Sequence, residues 1–238
     1  MQEAQRFLRY VIPGLIFIIE PLLYLLIAQD ICLAQMIQYG DHISVPISAF
    51  LVSGGVGFLL GAFYYVLIWK WPFNRLGADH RPLLRDSVTQ GWLQLRNRIG
   101  DKDINVEQLS QRGAWRLVIS YWNTRIEASP EIKGATPRAE RLADIAHGLG
   151  TTFLASVAGF ITFVVLHIKL SSGLTCTDLF YLFFLIIPFF HGWNFKDVIK
   201  DHEDIVDIVL NNEFKHRSEE DGTSPILYAS SKDLGCKD

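Results

Sequence analysis

The sequence predicts an all-α integral membrane protein: four transmembrane helices, a helical cytoplasmic hairpin between the second and third, and an amphipathic acidic C-terminal helix. Three observations carry that prediction. Half of the 238 residues are apolar, and they are gathered into four blocks rather than spread as in a soluble core. The basic residues fall almost entirely at the two ends of the chain and between the second and third blocks, and the other two connections are nearly without them. The polar stretches keep a helical spacing of their apolar members.

The first block lies between Arg9 and Asp30, the second between His42 and Lys70, the third between His147 and Lys169, and the fourth between Asp178 and Lys196. A spanning helix takes about 20 mostly apolar residues, so the fourth is long enough only with Trp193 and Phe195 at the interface. Arg6 and Arg9 precede the first block as they would a secretory signal. Glu20 and Pro21 interrupt its apolar core, however, and no small-x-small cleavage site follows, so it reads as a retained anchor. With both termini cytoplasmic, 21 of the 22 Lys and Arg residues lie on the cytoplasmic side, Lys169 being the exception. The expected location is a bacterial inner membrane. The chain then divides into residues 1–70 (spans one and two), 71–147 (hairpin), 148–195 (spans three and four), 196–214 (acidic helix) and 215–238 (a polar tail without regular structure).

Within the hairpin, Leu84, Val88, Trp92, Leu95 and Ile99 stand at helical spacing, and Gly100–Asp103 punctuates them. Asn105, with Gln108 three residues on, resembles a capping box opening a second helix that carries Leu109, Leu117, Val118, Tyr121 and Trp122. Residues 129–137 read as a loop, with Pro137 in the first turn of the helix entering span three. Asn194 is the expected cap of the acidic helix. Along it, Asp197, Asp201, Asp204 and Asp207 form one stripe, suited to a partner or to docking on the basic hairpin. No metal site, cofactor motif or catalytic signature is evident, and nucleic acid is not an expected partner. Cys32 and Cys176 both fall in outward loops, where an oxidising compartment would allow a disulfide or leave two thiols.

Depth along the spans singles out one level. Glu20 lies midway through the first block. Midway through the others come the cluster Ser53, Gly54, Gly55, Val56, Gly57, then Ala158 beside Gly159, then Ile187 beside Pro188. The spacings Gly57-x-x-x-Gly61 and Ala155-x-x-x-Gly159 suit close helix packing. Pro21 and Pro188 break backbone hydrogen bonds at that level. A carboxylate facing lipid costs about 2.5–3.5 kcal/mol or more, so Glu20 should face protein or water, with Ser53, Ser156 and Thr162 in reach. It is either a protonated clasp between helices or part of an ion or proton path.

A midplane glutamate in the first of four helices resembles small proton-coupled multidrug transporters, from which the long cytoplasmic loop and acidic tail depart. In overall plan the chain is similar to small multi-span effectors of antiviral defence. Arg141 and His147, with five residues between them, share the spacing of the Arg-His motif of HEPN-type ribonucleases. The leading expectation is an oligomeric channel or membrane-permeability effector, not an enzyme, controlled by its hairpin and tail. The alternative is a membrane anchor or scaffold that recruits a soluble cytoplasmic protein. Expected partners are membrane lipid, further copies of the chain and such a protein.

Overall fold

The computed structural model describes residues 2–28, 44–70, 78–170, 176–220 and 222–234. It is mostly helical and divides into two compact units: Met1–Trp71 with Ile145–Asp197, and Pro72–Asp144 with Val198–Asp238.

The first unit contains α1 (Gln2–Ala28) and α2 (Ser44–Tyr64), the latter extended by a π-helical turn, Tyr65–Lys70. It also takes the C-terminal part of α5 (Pro130–Leu170). A 3-10 stretch, Cys176–Leu185, leads into α6 (Ile186–Glu220). Four helices are long and apolar enough to cross a membrane: Tyr10–Ala28, Phe50–Leu67, Pro130–Lys169 and Tyr181–Glu220 each hold an 18-residue stretch apolar enough to span, the last two being much longer than that stretch. Large apolar side chains such as Leu51, Phe58, Phe63, Phe183 and Phe189 are exposed, while Glu20, Ser53, Thr151 and Ser156 are buried. That is the reverse of a water-soluble surface, and it suits a bundle whose solvent is hydrocarbon.

Small residues set how closely the helices approach. A Cβ on Gly14 would lie 1.8 Å from the Ser53 carbonyl oxygen, and one on Gly57 would lie 1.6 Å from that of Tyr10. The α1 and α2 backbones therefore touch, which only glycine permits at these positions. A Cβ on Gly150 would fall 2.3 Å from the Tyr64 ring, so α5 takes the side chain of α2, not its backbone, against this glycine.

The second unit has its own core. Leu84 of α3 (Arg81–Thr89), Val118 and Trp122 of α4 (Gln111–Arg125), Ile132 of α5 and Val206, Leu210 and Phe214 of α6 all belong to one buried cluster. Strands β1 (Gln94–Asn97) and β2 (Ile226–Ala229) form a parallel pair with Leu95 opposite Leu227, both buried.

Five expectations are corrected here. The first hairpin helix stops at Thr89 because Gly91 adopts φ +74, and Leu93 and Leu95 reach the core as part of an extended segment, leaving Ile99 exposed. Asn105 does cap, accepting from the Glu107 N–H, but it caps only a 3-10 turn, Val106–Gln108. The longer helix α4 starts at Gln111, where the Ser110 side chain accepts from the Gly113 N–H at 2.9 Å. Next, α5 begins at Pro130, with Ser129 before it and Glu131 in its first turn, so Pro137 lies inside the helix rather than opening it. Finally, Asn194 interrupts nothing, because α6 runs on to Glu220, and the tail beyond supplies β2. The fold is thus not purely helical.

Candidate functional site

In the first unit, Glu20 has little exposure, at 8%. Tyr24, one turn along α1, donates its hydroxyl to Glu20 Oε2 at 3.2 Å. Ser156 of α5 donates to the same oxygen at 2.6 Å, and His191 Nε2 of α6 stands 3.5 Å from Oε1. The carboxyl group thus joins three helices. Pro21, buried beside it, meets α5 at Gly159, where a Cβ would come within 3.3 Å of Pro21 Cδ. Around Tyr24 the rings of Phe163 and Phe184 close the space, the latter stacked at a centroid distance of 4.5 Å. An acid held by a hydroxyl, a phenol and an imidazole in an aromatic setting can tie helices together or exchange a proton among those groups.

Of the residues expected at this level, Ser156, Gly159 and Pro21 gather around Glu20. Ala155 is buried on α5, and Pro188 is buried at the start of α6. Ser53 does not join them: its hydroxyl donates to the Phe50 carbonyl at 2.6 Å, and it contacts α1 at Gly14 instead. Thr162 likewise bonds back to Ala158. Gly57 packs on the Tyr10 backbone, Gly61 on the Tyr10 ring and Gly54 loosely on Val11, whereas a Cβ on Gly55 would meet nothing within 4 Å. Tyr24 and His191 were not among the expected residues. Tyr24 could have been found from its i+4 offset to Glu20. The signal for His191 is an ionisable group in an apolar block, with no indication of its distance from Glu20.

Cys32 and the side chain of Cys176 lie outside the described residues. On the long α5, Arg141 is exposed and the His147 ring meets Tyr64 edge-on.

The acidic stripe is not uniform. Asp197, Asp201 and Asp204 are exposed. Asp207 instead serves the interior of the second unit, its Oδ1 2.6 Å from Nδ1 of the fully buried His80. Nε2 of His80 is buried with no hydrogen-bond partner among the described residues. Burial and the nearby His80 hold His202 below the ordinary histidine value, against the opposing pull of Asp207. Burial pushes Glu203 up, while hydrogen bonds from Arg81 hold Asp79 down. Glu213, also buried, accepts from Ser129 at 2.7 Å and from Arg125 at 3.1 Å. Among the described residues no cluster of three or more His, Cys, Asp or Glu side chains is placed to hold a metal ion. No family model, curated protein or solved structure matches the chain.

Proposed function

We propose that the protein is an integral membrane anchor, with both termini cytoplasmic, that carries a compact cytoplasmic unit for recruiting a soluble protein partner. The observation that carries this reading is the satisfaction of Glu20 inside the bundle. Its carboxyl group is spent on Tyr24, Ser156 and His191, as befits a clasp that fixes helix positions. Two further facts support it. The basic residues outside the spans are distributed for a cytoplasmic location of the second unit. That unit also has a core of its own and leaves Asp201 and Asp204 exposed at its surface.

A second reading has one specific observation in its favour. Glu20 and His191 place two ionisable groups 3.5 Å apart within the candidate spans, which an ion or proton pathway would use. Purified protein in liposomes separates the two. An anchor leaves ion and proton flux at the level of empty vesicles, and Glu20→Gln changes nothing in that assay. Flux that is present in wild type and altered by Glu20→Gln replaces the anchor with the channel or permeability effector. For recruitment, proximity labelling in the native host should identify a protein whose capture is lost in the Asp201→Lys, Asp204→Lys double variant. A capture profile unchanged by that charge reversal removes the stripe from the partner surface.

A further inference from the structure

The two parallel strands of the second unit end side by side. Arg98 follows β1 and donates its N–H to the Ala229 carbonyl at 2.9 Å, while Ser230 follows β2. Beyond these carboxyl ends, against one face of α4, opens a groove of about 510 Å³. In open α/β sheets the crevice beyond the carboxyl ends of parallel strands is where ligands seat, because the chain diverges there and leaves backbone and side chains facing a gap. The volume is that of a small-molecule site.

The groove wall has a definite chemistry. Asp233 lines it, but its carboxylate is already used: Oδ2 accepts the Ser230 N–H at 2.7 Å and the Ser230 hydroxyl at 2.6 Å, and Oδ1 pairs with Arg116 at 2.8 Å. That acid and that guanidinium cancel. Arg98, by contrast, is exposed and has no carboxylate partner among the described residues, so the groove keeps a positive charge. Trp115 and Tyr228 add aromatic surface, and Ser120 and Asn123 add a hydroxyl and an amide. A free guanidinium suits a phosphate, an aromatic face suits a flat ring, and the hydroxyl and amide suit the edge of that ring.

We propose that this groove binds a small phosphate-bearing ligand with a planar heterocycle, of the nucleotide class, with Arg98 on the phosphate and Tyr228 or Trp115 on the ring. The site is independent of whether the spans anchor or conduct.

The test is calorimetric titration of the full chain in lipid nanodiscs with AMP, GMP, CMP and UMP, and with pyrophosphate as a ring-free anion. At least one nucleotide should bind with a Kd below about 1 mM. Arg98→Gln should weaken it by about 10-fold or more, as loss of a charge-assisted bond does. Tyr228→Ala or Trp115→Ala should weaken the nucleotide and leave pyrophosphate unmoved. Arg98 is tied to the fold through its backbone, which glutamine keeps, and an unshifted thermal midpoint verifies that. Arg85→Gln, a change on α3 where Arg85 pairs with Glu107, should have no effect on binding. The proposal falls if none of the four nucleotides binds, if Arg98→Gln leaves the affinity unchanged, or if pyrophosphate binds as tightly as the best nucleotide.

Discussion

Gly14 and Gly55 are both helical glycines in apolar surroundings, yet they stand in opposite situations. A methyl group on Gly14 would occupy the place of the Ser53 carbonyl, and no side-chain rotation can relieve a clash with backbone. Gly14→Ala must therefore push α1 and α2 apart, at a cost of about 3 kcal/mol, the upper end for overpacking. Gly55→Ala meets nothing within 4 Å and should stay within about 0.5 kcal/mol of wild type. Unfolding of the two variants by SDS titration in mixed micelles, followed by far-ultraviolet circular dichroism, tests the pair; equal losses would mean that α1 and α2 do not touch as described. Ser156→Ala probes the neighbouring contact. It removes the shortest hydrogen bond to Glu20 and leaves Tyr24 and His191 beside the carboxyl group. Side-chain hydrogen bonds within membranes are worth about 0.6 kcal/mol on average and at most about 1.7. The same titration should show a loss near the upper figure, since the bond is buried and joins two helices.

At the scale of elements, the short strand β2 is the least expected part of the fold and the most testable. Leu227 and Ala229 are buried in the second unit's core, and Leu234 makes a bridge to Leu109. A chain ending at Glu220 should lose cooperative unfolding of that unit, because removing Leu227 alone costs about 2–5 kcal/mol. Limited proteolysis should then cut between residues 94 and 110 far faster than in the full chain, and an unchanged cleavage pattern would contradict the strand. This is also where sequence reasoning stops. Ile226–Ala229 is four residues long, and its partner lies some 130 positions earlier, so no local pattern announces the pairing. Gly91 was available as a stop signal, but the helical spacing of Leu84, Val88, Trp92 and Leu95 is also the spacing of a helix followed by a strand. By contrast, the four long apolar helices were legible, because composition over about 20 residues is itself the physical requirement for a span. Glu20 was legible as a buried group for the same reason. Its partnership with Ser156 could be proposed from depth, whereas the contact with His191 depends on helix rotation, which composition does not encode.

At the scale of the whole molecule, the second unit should couple its stability to protons. In the second unit His202 is half-buried, and that burial, with His80 close by, lowers its proton affinity below the ordinary value of 6.5. The folded state thus favours the neutral imidazole, so the unfolded chain takes up a proton first as pH falls. Stability from this residue is complete above about pH 6.5 and is lost progressively below it. Asp79, held low by Arg81, adds a loss of the same sign only below its ordinary 3.8. Glu203 works in the other direction. Burial raises its carboxyl group, so the folded state gains relative stability as pH falls towards its ordinary 4.5. Glu203 makes its gain above pH 4.5, within the range where His202 makes its loss, so the two are separated by removing one of them rather than by the choice of pH. Urea unfolding of the Glu203→Gln chain in nanodiscs, followed by tryptophan fluorescence, should show the second unit weakening from about pH 6.5 to about pH 5. His202→Gln should flatten the slope while leaving the pH 7.5 midpoint close to wild type. Glu203→Gln should remove the opposing gain and make the loss steeper. A Glu203→Gln midpoint that holds steady from pH 7.5 to 5, or a slope that survives the further change His202→Gln, would show that this imidazole is not what couples the unit to protons.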